Sequence, residues 1–259
     1  MARNSQLSRS IKGSVALVTG AGSGMGRATA HLLADEGARV AILDVNGPAL
    51  ERVAEEIREV GGDVLSVVAD CAQQSQVTAA VEQVAGHYGA LDILINNAGL
   101  VLPALLDDPA YDTSWQKSLD IMVSAQQWAI RAALPFLRDA EHPRIVNIAS
   151  TEALGATPHN SPYVVAKHAA LGLTRAMAVE LGKQGITVNC VCPGPIHTAI
   201  TEGIPEDDKA VFARRRTALR RYGMPEEVAH ITLALVLPSA SFITGAAIPV
   251  DGGLTIRNA

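Results

Sequence analysis

The sequence predicts a doubly wound α/β domain, with a parallel sheet of about seven strands and helices on both faces. Two observations predict it. Short, nearly continuous apolar runs recur from end to end, and segments of helical periodicity separate them. A strand covered on both faces needs apolar residues at successive positions, so it reads as an unbroken run. Strand–helix alternation favours parallel pairing, and right-handed crossovers put the ligand crevice at the carboxyl ends of the strands.

The elements follow in order. Val15–Thr19 runs into a glycine-rich turn and then a helical segment over Gly26–Glu36. Arg39–Leu43 precedes Pro48–Val60, and Val64–Ala69 precedes Val77–Tyr88, whose apolar residues recur at three and four. Ile93–Asn96 is the fourth run. Helical spacing over Trp115–Leu137 leads to the fifth, Ile145–Ile148. Pro162–Leu181 is helical again, before Thr187–Val191 and finally Ala247–Val250. No repeat, low-complexity tract or linker divides residues 1–259, so one domain is expected. Residues 1–10 read as an N-terminal arm. Residues 193–222 delay the return to the sheet with three prolines and a charged stretch, the place for a substrate lid.

Composition narrows the function. Hydrophobic residues make up 48% of the 259 and charged ones 18%, which fits a globular protein with a large aliphatic core. A net charge of -5 opposes nucleic-acid binding, because phosphates would not be neutralised. No uninterrupted apolar run reaches the length of a membrane span, and the first residues lack a secretory signal, so a cytoplasmic location is expected. Cys71, Cys190 and Cys192 lack paired metal-site spacing and read as buried thiols, with no metal.

Chemistry concentrates in three places. Thr19-Gly20-Ala21-Gly22-Ser23-Gly24-Met25-Gly26 joins the first strand to a helix. Glycines there let the backbone approach a pyrophosphate, and the helix start supplies free N–H groups. Asp44, 18 residues beyond Gly26, closes the second strand, where a carboxylate can accept from both hydroxyls of an adenine ribose and repel an added phosphate. That selects NAD over NADP. Tyr163 and Lys167 lie four apart on one helical face, and a nearby ammonium lowers a phenol by about two or three pKa units. Ser150 ends the fifth strand 13 residues before Tyr163.

The Gly20-xxx-Gly24-x-Gly26 spacing, together with Ser150, Tyr163 and Lys167, resembles the short-chain dehydrogenases/reductases, a family with a single-domain Rossmann fold. The likeness runs from Lys12 to Val250-Asp251-Gly252-Gly253. It implies that Tyr163 is the acid/base, that Ser150 holds the substrate oxygen, and that Lys167 also grips the nicotinamide ribose. Uncharged Ser23 agrees with NAD. The resemblance also assigns Asp70 and Cys71 to the adenine, and Asn97, Ala98 and Gly99 to the floor beneath the cofactor. Asn97 equally reads as a strand-terminating turn. Pro193, Gly194, Ile196 and Thr198 would hold the nicotinamide carboxamide. One position departs: Met122, seven after Trp115, stands where relatives carry an asparagine that supports a proton relay. Ser124 is the nearest substitute, and impaired proton exchange is the other outcome.

The expected reaction is NAD(H)-dependent interconversion of a secondary alcohol and a ketone. Alternatives are a carrier- or CoA-linked 3-ketoacyl reductase and a weakly catalytic NAD-binding protein. The four-residue Tyr–Lys spacing opposes the enoyl-reductase arrangement, where the lysine lies further away. Glu152 and Leu154 are the substrate-contact candidates, and Glu152 equally reads as outward-turned or paired with an arginine. Arg214, Arg215, Arg216, Arg220 and Arg221 either meet an anionic substrate or pair with Glu206, Asp207 and Asp208. Surplus apolar residues on Trp115–Leu137 and Pro162–Leu181, with the family likeness, imply a homotetramer.

Overall fold

All seven expected strands occur in the computed structural model, which describes residues 6–258. They are β1 (Val15–Thr19), β2 (Arg39–Asp44), β3 (Val64–Val68), β4 (Ile93–Asn96), β5 (Arg144–Ile148), β6 (Thr187–Pro193) and β7 (Ala247–Val250). Every pairing is parallel, in the order β3-β2-β1-β4-β5-β6-β7. The chain winds outward from β1 to β3, then returns to β4 on the other side of β1. A crevice therefore opens above the carboxyl ends of β1 and β4.

The unbroken apolar runs have a direct cause. Alternate residues of each central strand enter two separate cores. Val15 and Leu17 of β1 join one core with Leu94 and Ile145. Ala16 and Val18 join the other with Ile42, Ile95 and Val146. On one face lie α1 (Gly24–Asp35), α2 (Gly47–Glu59) and, late in the chain, α9 (Pro225–Val236). On the other lie α3 (Gln74–Tyr88), α4 (Tyr111–Leu119), α5 (Ala125–Asp139) and α6 (Ser161–Leu181).

The helix expected over Trp115–Leu137 is interrupted. A π-helical turn, Asp120–Ser124, separates α4 from α5, and the Ala125 N–H bonds to the Asp120 carbonyl. Such turns add a residue to the helical register and gather at functional sites. Here the turn carries Met122, which is fully buried.

Residues 193–222 leave the sheet through α7 (Ala199–Glu202) and α8 (Glu206–Arg216). Their ends are tied together: Ile196 and Gly223 form a parallel bridge, and His197 N–H donates to the Gly223 carbonyl at 3.0 Å. Among the described residues the arginines do not pair with Glu206, Asp207 or Asp208. Glu206 takes Lys209 at 2.7 Å, and Arg221 takes Glu227 at 2.7 Å. Acidic residues fill the first turn of α8 and Arg214, Arg215 and Arg216 the last, which satisfies the helix dipole instead. Of the expected N-terminal arm, residues 1–5 lie outside the described residues. Residues 6–10 are exposed, and Ser8 accepts from Ser239 N–H at 2.9 Å.

Candidate active site

The cleft above the sheet measures about 340 Å³ and takes its walls from both halves of the fold. Gly20, Ser23, Gly24, Met25, Asp44 and Asn97 line one end; Ser150, Tyr163, Lys167, Pro193, Gly194 and Ile196 line the other, with Gly99 between them and Thr198 reaching back against Gly24.

The glycine turn is built by close approach. Gly20 has φ +65°, and a Cβ there would sit 2.7 Å from Ala98 Cα. A Cβ on Gly26 would collide with the Gly20 carbonyl oxygen. The Asn97 side chain donates to the Thr19 and Gly20 carbonyls at 2.9 and 3.0 Å. Thr19 Oγ1 in turn accepts from the N–H groups of Asn97 and Ala98. Asn97 therefore fastens the β1 turn to β4 and also faces the cleft. The first turn of α1 holds no acidic residue, and Ser23 makes no side-chain cap, so the helix start presents bare N–H groups. That cradle fits a pyrophosphate.

Asp44 is fixed in place. One carboxylate oxygen accepts from Gly22 N–H and the other from Asn46 N–H, each at 2.9 Å. Asp44 lines the cleft, and each of its oxygens can accept a further hydrogen bond.

Buried amides position the catalytic end. Asn96 on β4 donates to Asn147 on β5 at 2.9 Å, and Asn147 donates to Thr174 on α6 at 2.9 Å. This chain locks α6, which carries Tyr163 and Lys167, to the strand ends beneath the cleft. Motif spacing did not single out Asn147 or Thr174; a polar residue inside an apolar run was the available signal. Lys167 is buried, and its Nζ donates to the Ile148 carbonyl at 2.9 Å. Burial lowers its pKa to about 8. Ser150 Oγ accepts from Glu152 N–H at 3.1 Å, and its own O–H is left to face the Tyr163 phenol, whose pKa it lowers.

The expected lowering of Tyr163 by Lys167 is not met. Burial pushes the phenol up to about 12, while Ser150 pulls it down and the Glu152 carboxylate pushes it up. The physical reason is that Lys167 Nζ lies 5.4 Å from the ring centroid and bonds a carbonyl instead.

Several expected residues stand back from the cleft. Gly26 and Ala98 shape the turn without lining it. Asp70 caps its own turn, accepting from Ala72 N–H at 2.8 Å. Cys71 is buried, and burial pushes its thiol up to about 12. Glu152 is part-exposed and meets no arginine: it accepts from Thr157 N–H at 2.9 Å and from Thr157 Oγ1 at 2.6 Å, closing its own loop at the surface. Leu154 is exposed beside it. Neither lines the cleft. Lining residues that motif reading missed include Leu100, Ile148, Ala199 and Ile200, which lie next to motif residues in sequence. Met122 faces the inner wall. A Cβ on Gly99 would lie 3.5 Å from both Met122 Sδ and Lys167 Nζ.

The family model described as enoyl-(acyl carrier protein) reductase matches residues 20–255. Cyclohexanol dehydrogenase of Acinetobacter sp. is 36% identical over 251 residues, 97% of this chain and 98% of the relative. The chain belongs to the short-chain dehydrogenase/reductase family. The 3-oxoacyl-(acyl carrier protein) reductase FabG of Thermotoga maritima is 35% identical, covering 95% of this chain and 99% of its own length. A crystal structure of a short-chain type dehydrogenase/reductase from Mycobacterium marinum superposes with TM-score 0.89 at 35% identity, over 96% of this chain and 98% of that one. The protein is thus an oxidoreductase of CH–OH groups that uses a nicotinamide cofactor. No helix among the described residues is long and apolar enough to cross a membrane.

Proposed function

We propose that the chain interconverts a secondary alcohol and a ketone with NAD(H), and that Ser150, Tyr163 and Lys167 carry the reaction. The observation that carries this reading is their convergence on the one cleft that also holds the glycine turn and Asp44. A bound nicotinamide cofactor supplies the two-electron acceptor or donor. Gly20, Ser23, Gly24 and Met25 hold its pyrophosphate, Asp44 the adenine ribose, and Pro193, Gly194, Ile196 and Thr198 the far end.

Tyr163 exchanges the proton of the substrate oxygen. Ser150, beside Tyr163, donates its O–H to that oxygen and holds the charge that develops there. A phenol near 12 is a poor base at neutral pH, so the reading requires positive charge beside it during turnover. Lys167 supplies part of this once acceptors in the cleft draw its ammonium up from about 8. Residues 193–222 act as the substrate lid. The competing reading is a 3-ketoacyl reductase, which the Thermotoga relative supports and the carboxylate of Asp44 opposes, because the added phosphate of NADPH would meet it.

A panel of secondary alcohols and a 3-ketoacyl thioester, assayed with both cofactors, tests this. NAD should be preferred by about tenfold or more in kcat/KM, about 1.4 kcal/mol, and Asp44→Ala should narrow the gap. Equal use of NADP by the unaltered protein overturns the cofactor assignment. The same reading includes a homotetramer, supported by apolar side chains on the outside of α6, where Val165 and Val179 are 38% and 84% exposed. Light scattering should give four chains; a monomer overturns it.

A further inference from the structure

β6 carries two thiols that the proposed chemistry does not use. Cys190 and Cys192 lie two apart on one strand, so their side chains leave the same face. Their sulfurs are 3.9 Å apart, and both residues are fully buried. Around them pack Ala149, Ala153, Ala170 and Leu171, mostly small side chains that keep the pair close to α6 and to Lys167.

We propose that Cys190 and Cys192 are a modification site, a dithiol that hydrogen peroxide closes to a disulfide, and that closure reversibly deforms the cleft. The two sulfurs have different roles. The S–H of Cys192 and the charge of Lys167 hold the Cys190 thiol below its ordinary value against the effect of burial. Cys192 is pushed up, first by its bond to Cys190 and then by burial. The charge of Lys167 favours a thiolate at either sulfur, so one thiol attacks and the other resolves. With Cys190 first, its sulfur attacks one peroxide oxygen and the O–O bond breaks, leaving a sulfenic acid and one water after proton uptake. Cys192 sulfur then displaces the second oxygen as water. Two thiols and one peroxide become one disulfide and two waters, with two electrons passing from sulfur to oxygen.

Geometry links closure to the cleft. A disulfide needs sulfurs at about 2.05 Å. Two residues of an extended strand place their Cα atoms about 6.6 Å apart, near the upper limit of what a disulfide spans. The strand must shorten locally to close the bond. Val191, between the two cysteines, accepts from Ala149 N–H at 2.8 Å, and β6 continues directly into Pro193 and Gly194. Shortening therefore moves the Ala149–Ser150 wall and the Pro193–Gly194 wall together. Ala149, which packs against the pair, and Pro193, which follows Cys192, both line the cleft, so a ligand there covers the nearest approach to the two sulfurs and should protect them.

The test treats the full chain with hydrogen peroxide, blocks remaining thiols under denaturing conditions, and reads peptide masses. The expected product is a Cys190–Cys192 disulfide, lighter by two hydrogens, with Cys71 still a free thiol. Dithiothreitol should restore both thiols, and NADH should slow the oxidation. Where dehydrogenase activity is measured, it should fall and recover with the disulfide, and Cys192→Ala should lose activity about tenfold more slowly. The mass measurement on the unaltered chain stands whether or not that variant folds, and it does not depend on the proposed reaction. Oxidation of Cys71 ahead of the pair, sulfonic acid without a disulfide, or two free thiols in inactivated protein would overturn the proposal.

Discussion

The two ends of the cleft are built differently. At the glycine end, three groups that face the crevice are held by backbone: Asp44 by two N–H groups, Asn97 by two carbonyls, Gly20 by contact with Ala98. Beyond the other end, outside the cleft lining that the buried amides fix, the residues after Gly99 run without regular structure to α4, and exposed Leu105, Leu106 and Leu154 belong to irregular segments. A common ligand explains the first. One pyrophosphate and one ribose demand one backbone path, whereas substrates differ and their walls are free to vary.

Glycine substitutions at the two ends should break that comparison if it is wrong. Gly26→Ala places a methyl against the Gly20 carbonyl, and overpacking of this kind costs about 3 kcal/mol or more. The expected result is a large fall in Tm and loss of NADH binding. Gly155→Ala, in the loop that Glu152 closes, meets nothing within 4 Å and should change stability by about 0.5 kcal/mol or less. Comparable losses in both variants, read by thermal melts, would mean that the ends are equally constrained.

Lys167 stands at the catalytic end but is proposed to serve both the cofactor and the reaction. Lys167→Ala should weaken NADH binding as well as turnover. The free protein holds this amine near 8, so part of it is neutral above that pH. Acceptors supplied by a ligand favour the ammonium and raise the pKa. Binding at about pH 8.5 should therefore take up protons, seen by calorimetry in buffers of different ionisation enthalpy. The variant should show no uptake, and uptake unchanged by the substitution would assign it to another group.

Legibility in the sequence follows the same division. Strand positions were readable because burial on both faces forces unbroken apolar runs, and each expected run lies within two residues of its strand. The glycine turn, Asp44, Ser150, Tyr163 and Lys167 were readable because local spacing determines what they face. Glu152 was not. Its direction depends on Thr157, five residues on, whose N–H and hydroxyl capture the carboxylate, and no motif encodes that capture. The π-helical turn at Met122 was also hidden, because the spacing of apolar residues continues across it. Neither the rise of Tyr163 nor the fall of Lys167 can be read from spacing, since both come from burial.

The proposed reaction turns on the Tyr163 proton, and Tyr163→Phe removes it while leaving the ring. With NAD and the best alcohol of the panel, turnover should fall by about 10³-fold or more. NADH, followed by its fluorescence, should bind within about twofold of the unaltered protein, because the group removed acts on the substrate oxygen. Turnover within about tenfold of the unaltered protein, with NADH still bound, would contradict the central claim.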